Sequence, residues 1–145
     1  GSKMIQAAAN IRVPKLTFYV GASYGAGNYG MAGYGYDPDF LFAWPGAMTG
    51  VMSGESAAGT METVALNSAK RRGVEPDMEA LAKQRAAIEK VFSSQEDAFF
   101  TSGRLLDHGV VDPRDTRKIL GFTLETIWER KHRTLNPNAF GIGRM

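Results

Sequence analysis

The 145-residue chain contains no cysteine. That excludes a disulfide framework, a thiolate nucleophile and any Cys-ligated zinc or iron–sulfur site. Histidine is scarce: His108 and His132 stand alone, without spaced partners, so no metal site is expected. Excess charge of one sign is also missing, with 17 Lys+Arg against 15 Asp+Glu and a net charge of +2. A nucleic-acid binder normally carries a clustered basic stripe, and only a short basic run, Arg130 to Arg133, occurs here. Long hydrophobic runs are absent as well. The stretch from Leu16 to Met61 holds no Lys or Arg, but it is broken repeatedly by Gly, Asn, Asp, Pro and Glu. It never approaches the ~18 apolar residues of a membrane span. No basic segment followed by an apolar run opens the chain, so no signal peptide is expected. The length suits one core and is too short for two full domains with a linker.

What is present divides into two unlike halves. Ten of the 17 glycines lie between Gly21 and Gly59, and Leu16 to Met61 holds just three acids, Asp37, Asp39 and Glu55. From Glu62 onward come 14 Lys/Arg and 12 Asp/Glu. The first half reads as buried sheet with tight turns, and the second as amphipathic helices over it. No internal repeat or low-complexity tract is visible.

Met4 to Ala9 is rich in helix formers, and Pro14 with Val13 then favours extended chain. Leu16-Thr17-Phe18-Tyr19-Val20 has the β-branched and aromatic content of a buried strand. A glycine turn, Gly25 to Met31, opens a short helix. Phe40 to Trp44 is a second strand, stopped by Pro45-Gly46, and Thr49 to Met52 a short third. A helix is expected from Met61 to Gly73. Another starts at Pro76, where Met78, Leu81, Ala82, Ile88, Val91 and Phe92 recur near helical spacing. Asp112-Pro113-Arg114-Asp115 provides an N-cap, a Pro at the first helical position and an acid. Thr116, Leu120, Leu124 and Ile127 then share a face, and the tail around Asn136-Pro137-Asn138 reads as irregular.

Gly25-x-Gly27-x-x-Gly30 after a strand matches the dinucleotide fingerprint letter for letter. The fingerprint also needs a substantial helix and an acid about 20 residues on. Gly33 and Gly35 cut the helix short, and the next strand ends in Ala43-Trp44-Pro45, so the nucleotide reading fails. What survives is physical: small residues at a helix start leave successive backbone N–H groups open to negative charge, as in an oxyanion hole.

The run Gly21-Ala22-Ser23-Tyr24-Gly25-Ala26-Gly27-Asn28-Tyr29-Gly30-Met31 resembles a specific family. So do Phe40 to Ala47, Val51-Met52-Ser53-Gly54-Glu55-Ser56-Ala57-Ala58, Asp112 to Arg117, and the closing Phe140-Gly141-Ile142-Gly143-Arg144-Met145. In this order they are similar to the carboxyltransferase β subunits of biotin-dependent acyl-CoA carboxylases, above all the methylcrotonyl-CoA and geranyl-CoA branch. The resemblance spans nearly the whole chain and is far more specific than the glycine fingerprint. It implies a crotonase-like (ClpP/crotonase) α/β fold of repeated ββα units. Residues 1–145 then form the later, carboxybiotin-side part of the C-terminal carboxyltransferase domain, with helices on a small sheet. The acyl-CoA-binding N-terminal domain lies outside it. This chain departs from relatives at Gly33-Tyr34-Gly35-Tyr36, Met48 and Ser53-Gly54-Glu55-Ser56, so the acyl group is left open.

The resemblance further implies a site. The backbone N–H groups of Ala26 and Gly27 stabilise negative charge on the ureido oxygen of biotin, and Gly25, Tyr24 and Asn28 border the cofactor. In the family the biotin nitrogen takes the substrate's α-proton, so no side-chain base is required. Implied partners are a biotin carboxylase and biotin carrier, an acyl-CoA bound by the other domain, and further copies in a homo-oligomer. Neither nucleic acid nor membrane is among them. The implied compartment is the cytoplasm, or the mitochondrial matrix in a eukaryote. Two rivals remain open: a non-catalytic assembly fragment, and the carboxyltransferase of a biotin-dependent decarboxylase. Of the single residues, His108 reads as structural, because adjacent Asp107 and His108 rarely point the same way and Gly109 marks a turn. His132 reads as solvated and Glu55 as an N-terminal helix acid. Tyr24, Tyr29, Tyr34 and Tyr36 fit either a pocket wall or aromatic filling of glycine-rich backbone.

Overall fold

The computed structural model describes residues 1–134. The Asn136–Asn138 tail and the closing Phe140–Met145 motif fall outside the described residues. After helix α1 (Ser2–Asn10) the chain forms β1 (Leu16–Tyr19), β2 (Ala22–Tyr24) and α2 (Gly25–Gly30), then β3 (Phe40–Ala43), β4 (Met48–Gly50) and α3 (Gly54–Arg72). These are two successive ββα units. Their strands pair across the units in parallel, β1 with β3 (Leu16 opposite Phe40) and β2 with β4 (Ala22 opposite Met48). The sheet is thus two separate two-stranded pieces. Among the described residues three further α-helices follow: α4 (Met78–Ser93), α5 (Ala98–Gly103) and α6 (Thr116–His132).

Strand β3 is central because it is bonded on both edges. Beyond β1, the His108 amide donates to Leu41 O at 2.7 Å and the Val111 amide to Ala43 O at 2.8 Å. Leu41 and Ala43 are accordingly buried, and with Tyr19, Ala47 and Ala98 they form the core. Alternating β3 residues face the other way, where Phe42 lies against Phe18 at 5.3 Å between ring centroids.

The long helices are delimited by their caps. Ser53 Oγ accepts from the Ser56 amide at the start of α3, and Gly73, with φ +67°, ends it in the left-handed conformation that suits glycine. The helix therefore begins at Gly54, seven residues before the expected Met61, because its first two turns are small residues with no apolar period. Asp77 caps α4 by accepting from the Glu79 and Ala80 amides, which places Pro76 just outside the helix. Strand β4 spans Met48–Gly50, not Thr49–Met52, and β3 stops one residue short of Trp44.

Helices α3 and α4 form a hairpin, joined by Arg85, which bridges Glu62 at 2.8 Å and Glu89 at 3.0 Å. No residue of α4 is fully buried, so the hairpin packs on itself instead of spreading over the strands. Helix α6 is tied to the strand layer by Trp44 Nε1 donating to Thr116 Oγ1 and by the Arg130–Asp39 ion pair, both at 3.0 Å. Asp112 caps the turn before α6 by accepting from the Arg114 amide, but residues Pro113–Asp115 form a single 3-10 turn and the α-helix starts at Thr116. Its inward face carries Thr123 with Ile127, whereas Leu124 is half exposed. Burial of Thr123 is permitted because its hydroxyl bonds back to Ile119 O and Leu120 O, both at 3.0 Å.

Candidate functional site

Strand β2 ends at Tyr24 in extended backbone, and the chain reverses at Gly25 with φ +52° into α2. Glycine is needed there on two counts. The positive φ disfavours any side chain, and a Cβ would lie 3.0 Å from Val51 O. The first amides of a helix have no partner within it, and Tyr24 supplies no side-chain cap. The amides of Ala26 and Gly27 sit in this uncapped turn, and both residues are exposed. Nothing lies within 4 Å of where a Gly27 Cβ would be, so the turn is open on that side.

A phenol hydroxyl stands too far from its own backbone to cap a helix, and that of Tyr24 is committed elsewhere. It donates to Glu96 Oε2 at 2.7 Å, across 72 residues of sequence. Burial, the hydrogen bond to Glu96 and that carboxylate's charge push the phenol pKa up to about 12. The phenol thus remains a donor throughout the neutral range. Glu96 also walls an apolar cavity of about 190 Å³, with Val51, Met52, Val91 and Phe92 among its other sides. Because Gly25 abuts Val51, this cavity adjoins the turn.

Asn28 faces the opposite way, into the core. It is 3% exposed, and its Nδ2 donates to Tyr19 Oη (2.7 Å), Thr49 Oγ1 (3.1 Å) and Ser23 Oγ (3.2 Å). Its carboxamide pins α2 onto β1, β2 and β4. Tyr24, Gly25, Ala26 and Gly27 are thus gathered at one open turn, while the Asn28 side chain anchors that turn from beneath. The other tyrosines fill space: Tyr29 meets Tyr36 edge-on at 5.7 Å, and the Tyr34 amide donates to Tyr19 Oη.

His108 has the structural role read for it. Its Nδ1 accepts from the Leu41 amide at 3.0 Å and its ring leans on Phe40, while Asp107 is occupied by the Gly109 amide. A cavity of about 400 Å³ lies beside it, lined by Asp37, Asp39 and Arg130, and includes none of the turn residues. His132 is exposed, with its ring stacked on Trp128 at 3.8 Å, and Glu55 lies in the first turn of α3. Among the described residues no cluster of three or more His, Asp or Glu could hold a metal, and no helix is long and apolar enough to cross a membrane. Glu96 is the residue that sequence reasoning missed. Its one local mark is its place just before the α5 cap, Asp97.

Two ββα units with an uncapped, glycine-built turn define a crotonase-like α/β architecture, and comparison with known proteins agrees. The carboxyl transferase domain family matches residues 1–141, and the chain belongs to that family. It is 48% identical over its full length to a probable biotin-dependent acyl-coenzyme A carboxylase beta2 subunit of Mycobacterium tuberculosis, and 40% identical to the mitochondrial methylcrotonoyl-CoA carboxylase beta chain of Arabidopsis thaliana. Among solved structures, the beta subunit of P. aeruginosa geranyl-CoA carboxylase superposes with a TM-score of 0.82 at 44% identity over 99% of this chain. The transcarboxylase 12S structure, described as a hexamer assembly, gives 0.67 at 26% identity over 98%. The chain spans about a quarter of the length of each of these relatives: 27% of the mycobacterial subunit, 24% of the plant chain, 27% of the geranyl-CoA carboxylase subunit and 25% of the 12S chain.

Proposed function

We propose that this chain is the carboxybiotin-side part of a carboxyltransferase that acts on an acyl-CoA. The observation that carries this reading is the turn at Gly25, where the amides of two exposed residues stand uncapped and the nearest polar side chains are tied elsewhere. A donor set made only of N–H groups suits an oxygen that gains negative charge. Carboxybiotin would bring the carboxyl group, and the departure of that group would leave negative charge on the ureido oxygen. Ala26 and Gly27 donate to that oxygen, and Gly25 lets it come close to the backbone. Asn28 holds the turn rigid from the core. Removal of one such preorganised donor costs about 3–4 kcal/mol of transition-state stabilisation. On this reading residues 1–145 belong to the C-terminal carboxyltransferase domain, and the rest of a longer chain binds the acyl-CoA. A biotin carrier and a biotin carboxylase complete the enzyme, which is a homo-oligomer in the cytoplasm or mitochondrial matrix.

The test is Gly27→Pro in the full-length carboxyltransferase assembled with its biotin-bearing partner. Proline removes the N–H, yet within the first turn no intrahelical hydrogen bond is lost. Incorporation of labelled bicarbonate into acyl-CoA should be abolished while carboxylation of biotin itself persists. Full transfer activity would overturn the assignment.

A further inference from the structure

We propose that Glu96 is a positioning residue for carboxyl transfer: by accepting the Tyr24 phenol it locks the Tyr24–Gly25 turn to the α4–α5 junction and fixes the placement of the Ala26 and Gly27 amides. The inference rests on the oxyanion reading above, and adds to it a residue that never meets the reacting atoms.

Little holds the turn locally. Strand β2 is three residues long, and Gly25 in the left-handed region is the most pliable kind of joint. From the core, Asn28 ties the helix side of the turn to Tyr19, Ser23 and Thr49. On the near side, the backbone is held by the pairing of Tyr24 with Gly50 and by Thr49 Oγ1 donating to Ser23 O at 2.8 Å, and the Tyr24 side chain adds the 2.7 Å bond to Glu96, with its ring resting over Gly50. Glu96 is a firm anchor because its own backbone is fixed twice. Its carbonyl accepts the Thr49 amide at 2.8 Å, and the next residue, Asp97, bridges Met48 and caps α5 through the Phe99 and Phe100 amides. The clamp therefore references the turn to β4 and α5 together. A displacement of about 1 Å in a catalytic donor can lower a rate by about a hundredfold.

The experiment uses the full-length, assembled enzyme carrying Tyr24→Phe, Glu96→Ala, the double variant, or Glu96→Gln. Tyr24→Phe deletes one oxygen and keeps the ring, so folding is preserved. Tyr24→Phe and Glu96→Ala should each lower kcat for transfer by about 10- to 100-fold at unchanged KM for acyl-CoA. The double variant should be no worse than the poorer single, since both remove the same bond. Glu96→Gln should stay within about threefold of wild type, because its carboxamide oxygen still accepts the phenol. A second readout needs no cofactor: hydrogen exchange of the segment from Tyr24 to Gly33 should quicken in Tyr24→Phe and Glu96→Ala and not in Glu96→Gln. Wild-type kcat in both single variants, additive losses, or a Glu96→Gln as slow as Glu96→Ala would overturn the clamp. If Gly27→Pro abolishes transfer while Tyr24→Phe is silent, the clamp alone fails. If Gly27→Pro is also silent, the oxyanion reading falls with it.

Discussion

Replacing Asn28 tests whether a buried carboxamide is what holds the glycine turn in place. Its Nδ2 has two hydrogens shared among three oxygens, so Asn28→Ala removes the equivalent of two hydrogen bonds. Each contributes about 1 kcal/mol net, and a small void adds a fraction more. Two of the three oxygens left behind keep a partner: Tyr19 Oη still accepts the Tyr34 amide, and Thr49 Oγ1 still donates to Ser23 O. The expected cost is therefore about 2–3 kcal/mol, or roughly 30- to 150-fold in the folding equilibrium. Asn28→Asp is more informative, because it sets a carboxylate among these oxygens. Burial raises its folded pKa above the unfolded value of about 3.9, so the acid is best tolerated below that value and stability is lost as pH rises through the folded pKa. Urea unfolding followed by circular dichroism, near pH 4 and near pH 7.5, reads both effects. The gap between Asn28→Asp and wild type should widen towards neutral pH. A change below about 0.5 kcal/mol for Asn28→Ala, or a pH-independent gap for Asn28→Asp, would refute the argument.

Two further outcomes follow from the same structure. The Lys15 backbone amide and the Arg130 guanidinium hold the Asp39 carboxyl below its ordinary 3.8, against the opposing effect of burial. A lowered folded pKa contributes stability above the unfolded value and loses it as pH falls through the folded one. Acid unfolding should thus be less steep for Asp39→Asn than for wild type, and parallel curves would count against the ion pair. Gly73 has φ +67° and nothing within 4 Å of where a Cβ would stand, so Gly73→Ala bears a backbone cost alone, about 1 kcal/mol. Thermal melting should show that loss, and Gly73→Asn should recover part of it.

The parts of the fold that were legible in sequence are those with local causes. Strands β1 and β3 announce themselves by compact apolar and aromatic runs, and the end of α3 and the approach to α6 by Gly73 and by Asp112-Pro113. Strand β2 was invisible because Ala22-Ser23-Tyr24 is too short to carry a period and exists only through its partner β4. The start of α3 was hidden by small residues, and the inward turn of Thr123 in place of Leu124 depends on hydroxyl bonds that no hydrophobic pattern encodes. At the site, the glycine turn could be read as an opening for negative charge, and the role proposed for Ala26 and Gly27 is what the family resemblance implies. The inward commitment of Asn28 and the tie to Glu96 are tertiary facts. Nothing near Tyr24 in sequence announces a carboxylate 72 residues away.

The α3–α4 hairpin has a practical consequence. Helix α3 begins shortly beyond β4 and runs for 19 residues, which sets its far end about 27 Å from its origin. The connecting segment there, residues 73–77, is entirely exposed. The protein thus carries a built-in handle: a fluorophore or affinity peptide grafted at that tip would sit a full helix length from the strands that frame the glycine turn.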